Sequence, residues 1–218
     1  KSPAGYLLEG DAYAVSKSWK EAMVAYRNGI KQTGAKELAI RLYAALSAQN
    51  QAGEADKFAD SWLKDHPDDQ AFRLYLAESA IGRKDYPVAI RHYGALLDSQ
   101  PNNPALMNNL AWALGQNKDP KAIELAEKAY QLAPDQPGVI DTLGSMLVDK
   151  GEFERGLELL RKAHSLAPNN PAITLNFAKA LIKADKGAEA RPILDSLVAL
   201  GDRFAGSAEA GELLKNLK

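Results

Sequence analysis

Apolar residues along this chain fall at helical intervals: Ile140, Leu143 and Leu147 share one face, as do Leu213, Leu214 and Leu217 near its end. Three- and four-residue spacing gathers side chains on one side of an α-helix, whereas a half-buried strand alternates at period two. No Val/Ile/Thr stretch alternates that way, so the pattern predicts helices throughout. Small residues recur just as regularly. Ala22, Ala55, Ala89, Ala122, Gly156 and Ala190 are spaced by 33, 34, 33, 34 and 34 residues. A second series, Gly10, Tyr43, Ala77, Ala111, Gly144 and Ala178, lies 12 residues upstream of the first, or 11 at Ala122. Antiparallel helices approach closely only where side chains are small, so two such series in one register predict a repeated helix hairpin.

Turn chemistry agrees with that register. Pro67, Pro101, Pro134 and Pro168 each sit in a run such as Gln100-Pro101-Asn102-Asn103-Pro104 or Ala167-Pro168-Asn169-Asn170-Pro171. Proline stops the first helix, an Asx residue caps the next, and a second proline fits its first turn. Asp85-Tyr86-Pro87 and Asp119-Pro120 start second helices in the same way, while Pro192 lies deeper in its helix and predicts a local distortion. The unit boundaries are 3–35, 36–69, 70–103, 104–136, 137–170 and 171–204, within a single solenoid spanning 1–218. The remaining piece, 205–218, reads as one amphipathic helix that covers the apolar face of the last unit, as a stack of repeats requires. The first unit has no such cover, which leaves room for further repeats before Lys1.

The unit Ile140-x-x-Leu143-Gly144-x-x-Leu147, Gly151, Phe153, Gly156, Leu160, Ala163, Pro168 resembles the tetratricopeptide repeat. Unit 104–136 is one residue short in its inner turn, and Asp185 and Gly187 stand where the family favours glycine and an aromatic. Both units keep their small crossings. The resemblance implies an all-α fold, a right-handed α-α superhelical solenoid whose first helices line a concave groove. It selects Asp11, Glu37, Arg41, Leu74, Tyr75 and Glu78 from the early units as groove residues, with Gln116, Asp149 and Lys183 among the later ones. The densest convergence of hydrogen-bonding side chains around an aromatic is Asn108, Asn109, Trp112, Asp141, Ser145, Asn176 and Lys179. An indole flanked by amides suits an extended peptide, whose backbone needs donors and acceptors in equal number. Trp112 adjoins the crossing residue Ala111 and is equally compatible with core packing; Asn108 and Asn109 fit capping or solvated roles as well.

Composition narrows the function. With 27 basic and 28 acidic side chains there is no electrostatic reason to expect nucleic acid or an anionic membrane as partner. Cysteine is absent, which excludes disulfides and thiolate chemistry and leaves the compartment unread. No apolar run approaches the roughly 20 residues of a membrane span. The start Lys1-Ser2-Pro3, without initiator Met or signal-like stretch, reads as a piece of a longer protein. His66, His92 and His164 fall in different repeats without metal-site spacing and are expected to be solvated. Asp141 and Asp149 are two helical turns apart, with no evident apolar pocket to raise either pKa. No catalytic, metal or cofactor site is expected.

Some tetratricopeptide proteins clamp a chaperone's terminal carboxylates. Here Leu7-Leu8-Glu9-Gly10-Asp11 stands in place of Lys-x-x-Gly-Asn, and Ala71 and Tyr75 in place of the clamp's Lys and Arg, so an anionic tail would be repelled. Ser61-Trp62-Leu63-Lys64-Asp65-His66-Pro67-Asp68-Asp69, Asn108-Asn109-Leu110-Ala111-Trp112-Ala113-Leu114, Leu132-Ala133-Pro134-Asp135 and Asp141-Thr142-Leu143-Gly144 resemble the C-terminal repeats of the tetratricopeptide lipoproteins of the PEP-CTERM/exosortase system. That resemblance implies a bacterial envelope scaffold, in the periplasm or at the inner face of the outer membrane, anchored through an upstream segment and serving exopolysaccharide export or protein sorting. A cytoplasmic scaffold is the alternative compartment, and a groove for an exopolysaccharide the alternative ligand.

Overall fold

Proline and Asx residues end one helix and begin the next at the junctions around Pro67, Pro101, Pro134 and Pro168. The computed structural model describes residues 1–49 and 51–217, with Ala52 described by its backbone. Among the described residues the fold is all-α. Its helices are α1 Pro3–Val15, α2 Trp19–Thr33, α3 Glu37–Ala48, α4 Ala52–Asp65, α5 Gln70–Gly82, α6 Tyr86–Ser99, α7 Pro104–Gln116, α8 Lys121–Leu132, α9 Pro137–Asp149, α10 Phe153–Leu166, α11 Pro171–Lys183, α12 Gly187–Val198 and α13 Ser207–Asn216, with a 3-10 turn at Gly201–Arg203. Every residue of both small series is buried. The chain divides into two compact units, Lys1–His92 and Tyr93–Lys218.

In the first unit Tyr26, Leu38, Leu42, Leu46 and Phe72 are fully buried around Ala22 and Ala55. Asp69, at the start of α5, uses both carboxylate oxygens: Oδ1 accepts from the Phe72 N–H at 3.1 Å and Oδ2 from the Trp62 indole at 2.9 Å. One buried acid thus caps a helix and satisfies an indole that the core would otherwise strand. The His66 ring stacks on Trp62 at 3.9 Å. The histidines depart from the expectation of solvated side chains. His92 is buried, and burial, reinforced by Arg91 and Arg73, lowers its pKa to about 4. His164, in the second unit, meets the Thr174 hydroxyl at 3.1 Å and stacks on Phe177. Helix α10 packs against α11, and the half-apolar His164 imidazole joins that contact.

In the second unit Gly144 and Gly156 set a close crossing of α9 and α10. A Cβ on Gly156 would lie 2.6 Å from Val148 Cγ2 and 2.9 Å from the Gly144 carbonyl oxygen; one on Gly144 would lie 2.8 Å from Leu160 Cγ. Asn103 and Asn170 cap α7 and α11, each accepting two backbone N–H bonds, whereas Gln136 makes no such bond at α9. The inner turns need one left-handed residue: Gly151 supplies it at φ 92°, but Lys118 and Asp185 adopt φ 58° and 57° without being glycine. Helix α12 continues through Pro192. The N–H that proline lacks would have bonded the Ala188 carbonyl, and both residues are exposed, so water can serve that group. Helix α13 closes the unit by placing Leu213 and Leu214, with Leu217 beyond it, against Leu175, Ala178, Leu194 and Leu197. Lys218, the last residue of the terminal piece, lies outside the described residues.

Candidate binding cleft in the second unit

Helix α9 lies between α7 and α11 and packs against both. Each of the three spends its apolar stripe on the core: Leu106, Leu110 and Leu114 in α7, Ile140, Leu143 and Leu147 in α9, Ile173, Phe177 and Leu181 in α11. The complementary faces carry Trp112, then Asp141, Ser145 and Asp149, then Asn176, Lys179 and Lys183. Together they line a cleft of about 740 Å³. Trp112, equally compatible with groove and core in the sequence, stands on the cleft wall with 37 % of its surface exposed.

Asn108 and Asn109 do not line the cleft. The Asn108 amide donates to Asn109 Oδ1 at 3.5 Å, and Asn108 Oδ1 is buried without a partner. The wall also includes inner-turn residues Lys118, Asp119 and Lys150, together with Met146, which helical periodicity did not select. Their place at the ends of α7 and α9 is the signal that could have found them.

Asp141 is the unusual group. Its Oδ2 accepts from the Asn176 amide at 2.8 Å, while Oδ1 is buried and unpaired. Burial pushes the carboxyl pKa up to about 6, although the Asn176 bond pulls the other way. The expectation that neither Asp141 nor Asp149 would be perturbed is thereby corrected for Asp141, because packing of α7 and α11 on either side of α9 removes water from it. Three lysines of the cleft are engaged: Lys183 pairs with Asp149, Lys179 with Glu209 of α13 at 2.7 Å, and Lys150 with Glu152 at 2.8 Å. In the first unit, the expected groove residue Asp11 receives the Tyr26 hydroxyl at 2.7 Å and Arg41 at 3.2 Å. No cluster of three or more metal-ligating side chains occurs among the described residues. Among the described residues no helix is long and apolar enough to cross a membrane.

Two models of the tetratricopeptide repeat match the chain, over residues 74–137 and 147–216, together more than half its length. The chain belongs to the tetratricopeptide-repeat family. Among solved structures it is similar to a tetratricopeptide repeat protein from Parabacteroides merdae, at 13 % identity over 98 % of this chain and 85 % of that one, with a TM-score of 0.77. It is also similar to pilF of Pseudomonas aeruginosa, at 16 % identity over 96 % of each chain, with a TM-score of 0.65. A third is YrrB, described as a tetratricopeptide protein with an unusual peptide-binding site, at 17 % identity over 86 % of this chain and 98 % of that one, with a TM-score of 0.55. At such identities the likeness shows the fold, a tetratricopeptide solenoid. No curated protein matches the chain. Tetratricopeptide proteins generally mediate protein–protein interactions and are generally not enzymes.

Proposed function

We propose that this protein is a non-catalytic scaffold that holds a peptide segment of a partner protein in the cleft between α7, α9 and α11. The observation that carries the reading is the juxtaposition of an exposed indole, Trp112, with an amide, a hydroxyl and a carboxylate in one 740 Å³ cleft. Buried aromatic anchors carry most of the free energy in such contacts, and fixed polar groups set register along the peptide backbone. Random twelve-residue peptides displayed and selected on the protein should yield sequences whose affinity, measured by calorimetry, falls about tenfold or more in Trp112→Ala. Selected peptides that bind Trp112→Ala and Ser145→Arg as well as the parent would remove the cleft from consideration.

An indole beside a carboxylate and amides is also the chemistry that holds sugar rings. Oligosaccharide binding abolished by Trp112→Ala, with no peptide selected, would establish the carbohydrate reading instead. We further infer an envelope location beside exopolysaccharide export or protein sorting, supported by the resemblance of the Ser61–Asp69 and Asn108–Leu114 phrases to PEP-CTERM-system lipoproteins. Fractionation of the native cells should recover the protein with the periplasm or outer membrane. Recovery with cytosolic markers would overturn the inference.

A further inference from the structure

Within the cleft, Asp141 differs from the other acids. Asp149 is neutralised by Lys183, and Asp119 accepts the Lys121 N–H at 2.9 Å. Among the described residues Asp141 has the Asn176 amide alone, on one oxygen, and no cation on either. A neutral amide supplies a hydrogen bond but no charge, so a desolvated carboxylate held this way remains uncompensated. Lys150, in the turn after α9, and Lys179 and Lys183 of α11 do not fill that role, because each is drawn to its own acid.

We propose that the cleft takes an arginine side chain of its polypeptide partner, the guanidinium pairing with Asp141 while its planar face lies against the Trp112 indole. The inference rests on the peptide reading given above and specifies the ligand for it. Arginine fits better than lysine because a flat, weakly hydrated cation can stack on an aromatic wall and still present a fork of N–H donors to a carboxylate. Oδ1 is buried although Asp141 lines the cleft, so the carboxylate turns about its Cβ–Cγ bond, a soft torsion, to meet the ligand. Asn176, bonded to Oδ2, sets the orientation of the carboxylate before the ligand arrives.

The probe is the tripeptide acetyl-Ala-Arg-Ala-amide, with the same peptide carrying citrulline, which keeps the shape and removes the charge. Both are titrated into the ¹⁵N-labelled full chain and followed by amide and indole N–H shifts. The arginine peptide should move the Trp112 indole signal and the amides of Asp141, Ser145 and Asn176, and bind about tenfold or more tightly than citrulline. Asp141→Asn should abolish that preference. In the parent chain the preference should fade between pH 7.5 and 5. The variant retains Lys118, Asp119, Asp149, Lys150, Lys179 and Lys183 and so reports whatever their titration contributes. Equal binding of the two peptides at the cleft would overturn the arginine assignment and leave the peptide reading standing. Failure of either peptide, and of peptides selected by display, to move any cleft signal would overturn both.

Discussion

Asp141 sets stability against pH in a direction unusual for an acid. Its carboxyl sits at about 6 in the fold against an ordinary 3.8, so the folded state prefers the protonated form. The stabilisation is complete below about pH 4 and is lost as pH rises through 6. Asp141→Asn should therefore exceed the parent in stability by about 2 kcal/mol at pH 7, measured by urea denaturation, and the gap should close near pH 4. Equal stabilities at both pH values would mean that the carboxylate is not desolvated. His92 works in the opposite sense. Its folded value of about 4 lies below the ordinary 6.5, so its contribution is present above pH 6.5 and lost as pH falls through 4. Amide exchange in the first unit, compared at pH 7 and 4.5, should show lower protection at the acidic value, and His92→Leu should reduce the difference. Neither shift was legible in the sequence. Spacing placed Asp141 on the non-core face of α9, but which oxygen loses water depends on how α7 and α11 pack beside it, and His92 was read as a surface residue on the same incomplete grounds.

At the scale of the helix pair, the repeat was legible because its physical requirement is local and recurring. Two backbones that nearly touch every 33 or 34 residues leave a small residue at every approach but Tyr43, and that mark survives where Trp, Phe and Pro of the family pattern have been replaced. The caps were legible for the same reason: Asp69, Asn103 and Asn170 bond the helices they precede. What a proline such as Pro192 costs its helix was not legible, because it depends on whether the orphaned carbonyl is buried, which only packing decides. The crossing of α9 and α10 has no slack, with the Gly144 carbonyl 2.9 Å from the place a Cβ on Gly156 would occupy. Gly156→Ala gains helix propensity of about 1 kcal/mol but forces the two helices apart, and overpacking at backbone typically costs 1–3 kcal/mol. The net effect should be a loss of about 1 kcal/mol or more in urea denaturation. Gly138→Ala, in the same helix pair but with nothing within 4 Å, should instead be neutral or stabilising.

For the molecule as a whole, a solenoid differs from a globule in that each repeat needs a neighbour on its apolar face, and α13 is that neighbour for the repeat at 171–204. Leu213, Leu214 and Leu217 cover Leu175, Leu194 and Leu197, and partial burial of three leucines is worth roughly 3 kcal/mol. A chain ending at Phe204 should lose about that much stability, bind a hydrophobic dye, and exchange amides of α11 and α12 faster, while the first unit keeps its protection; an unchanged urea midpoint would show that α13 is dispensable. The same helix reaches the cleft by a separate route. Glu209 neutralises Lys179, whose ammonium would otherwise stand in the cleft as an uncompensated positive charge. Glu209→Gln should leave stability within about 0.5 kcal/mol, since exposed ion pairs contribute little to folding. It should nevertheless weaken an arginine ligand by restoring like-charge repulsion beside Asp141, with the effect diminishing at high salt. A Glu209→Gln variant that binds the arginine peptide as well as the parent at low salt would show that α13 closes the core without conditioning the cleft.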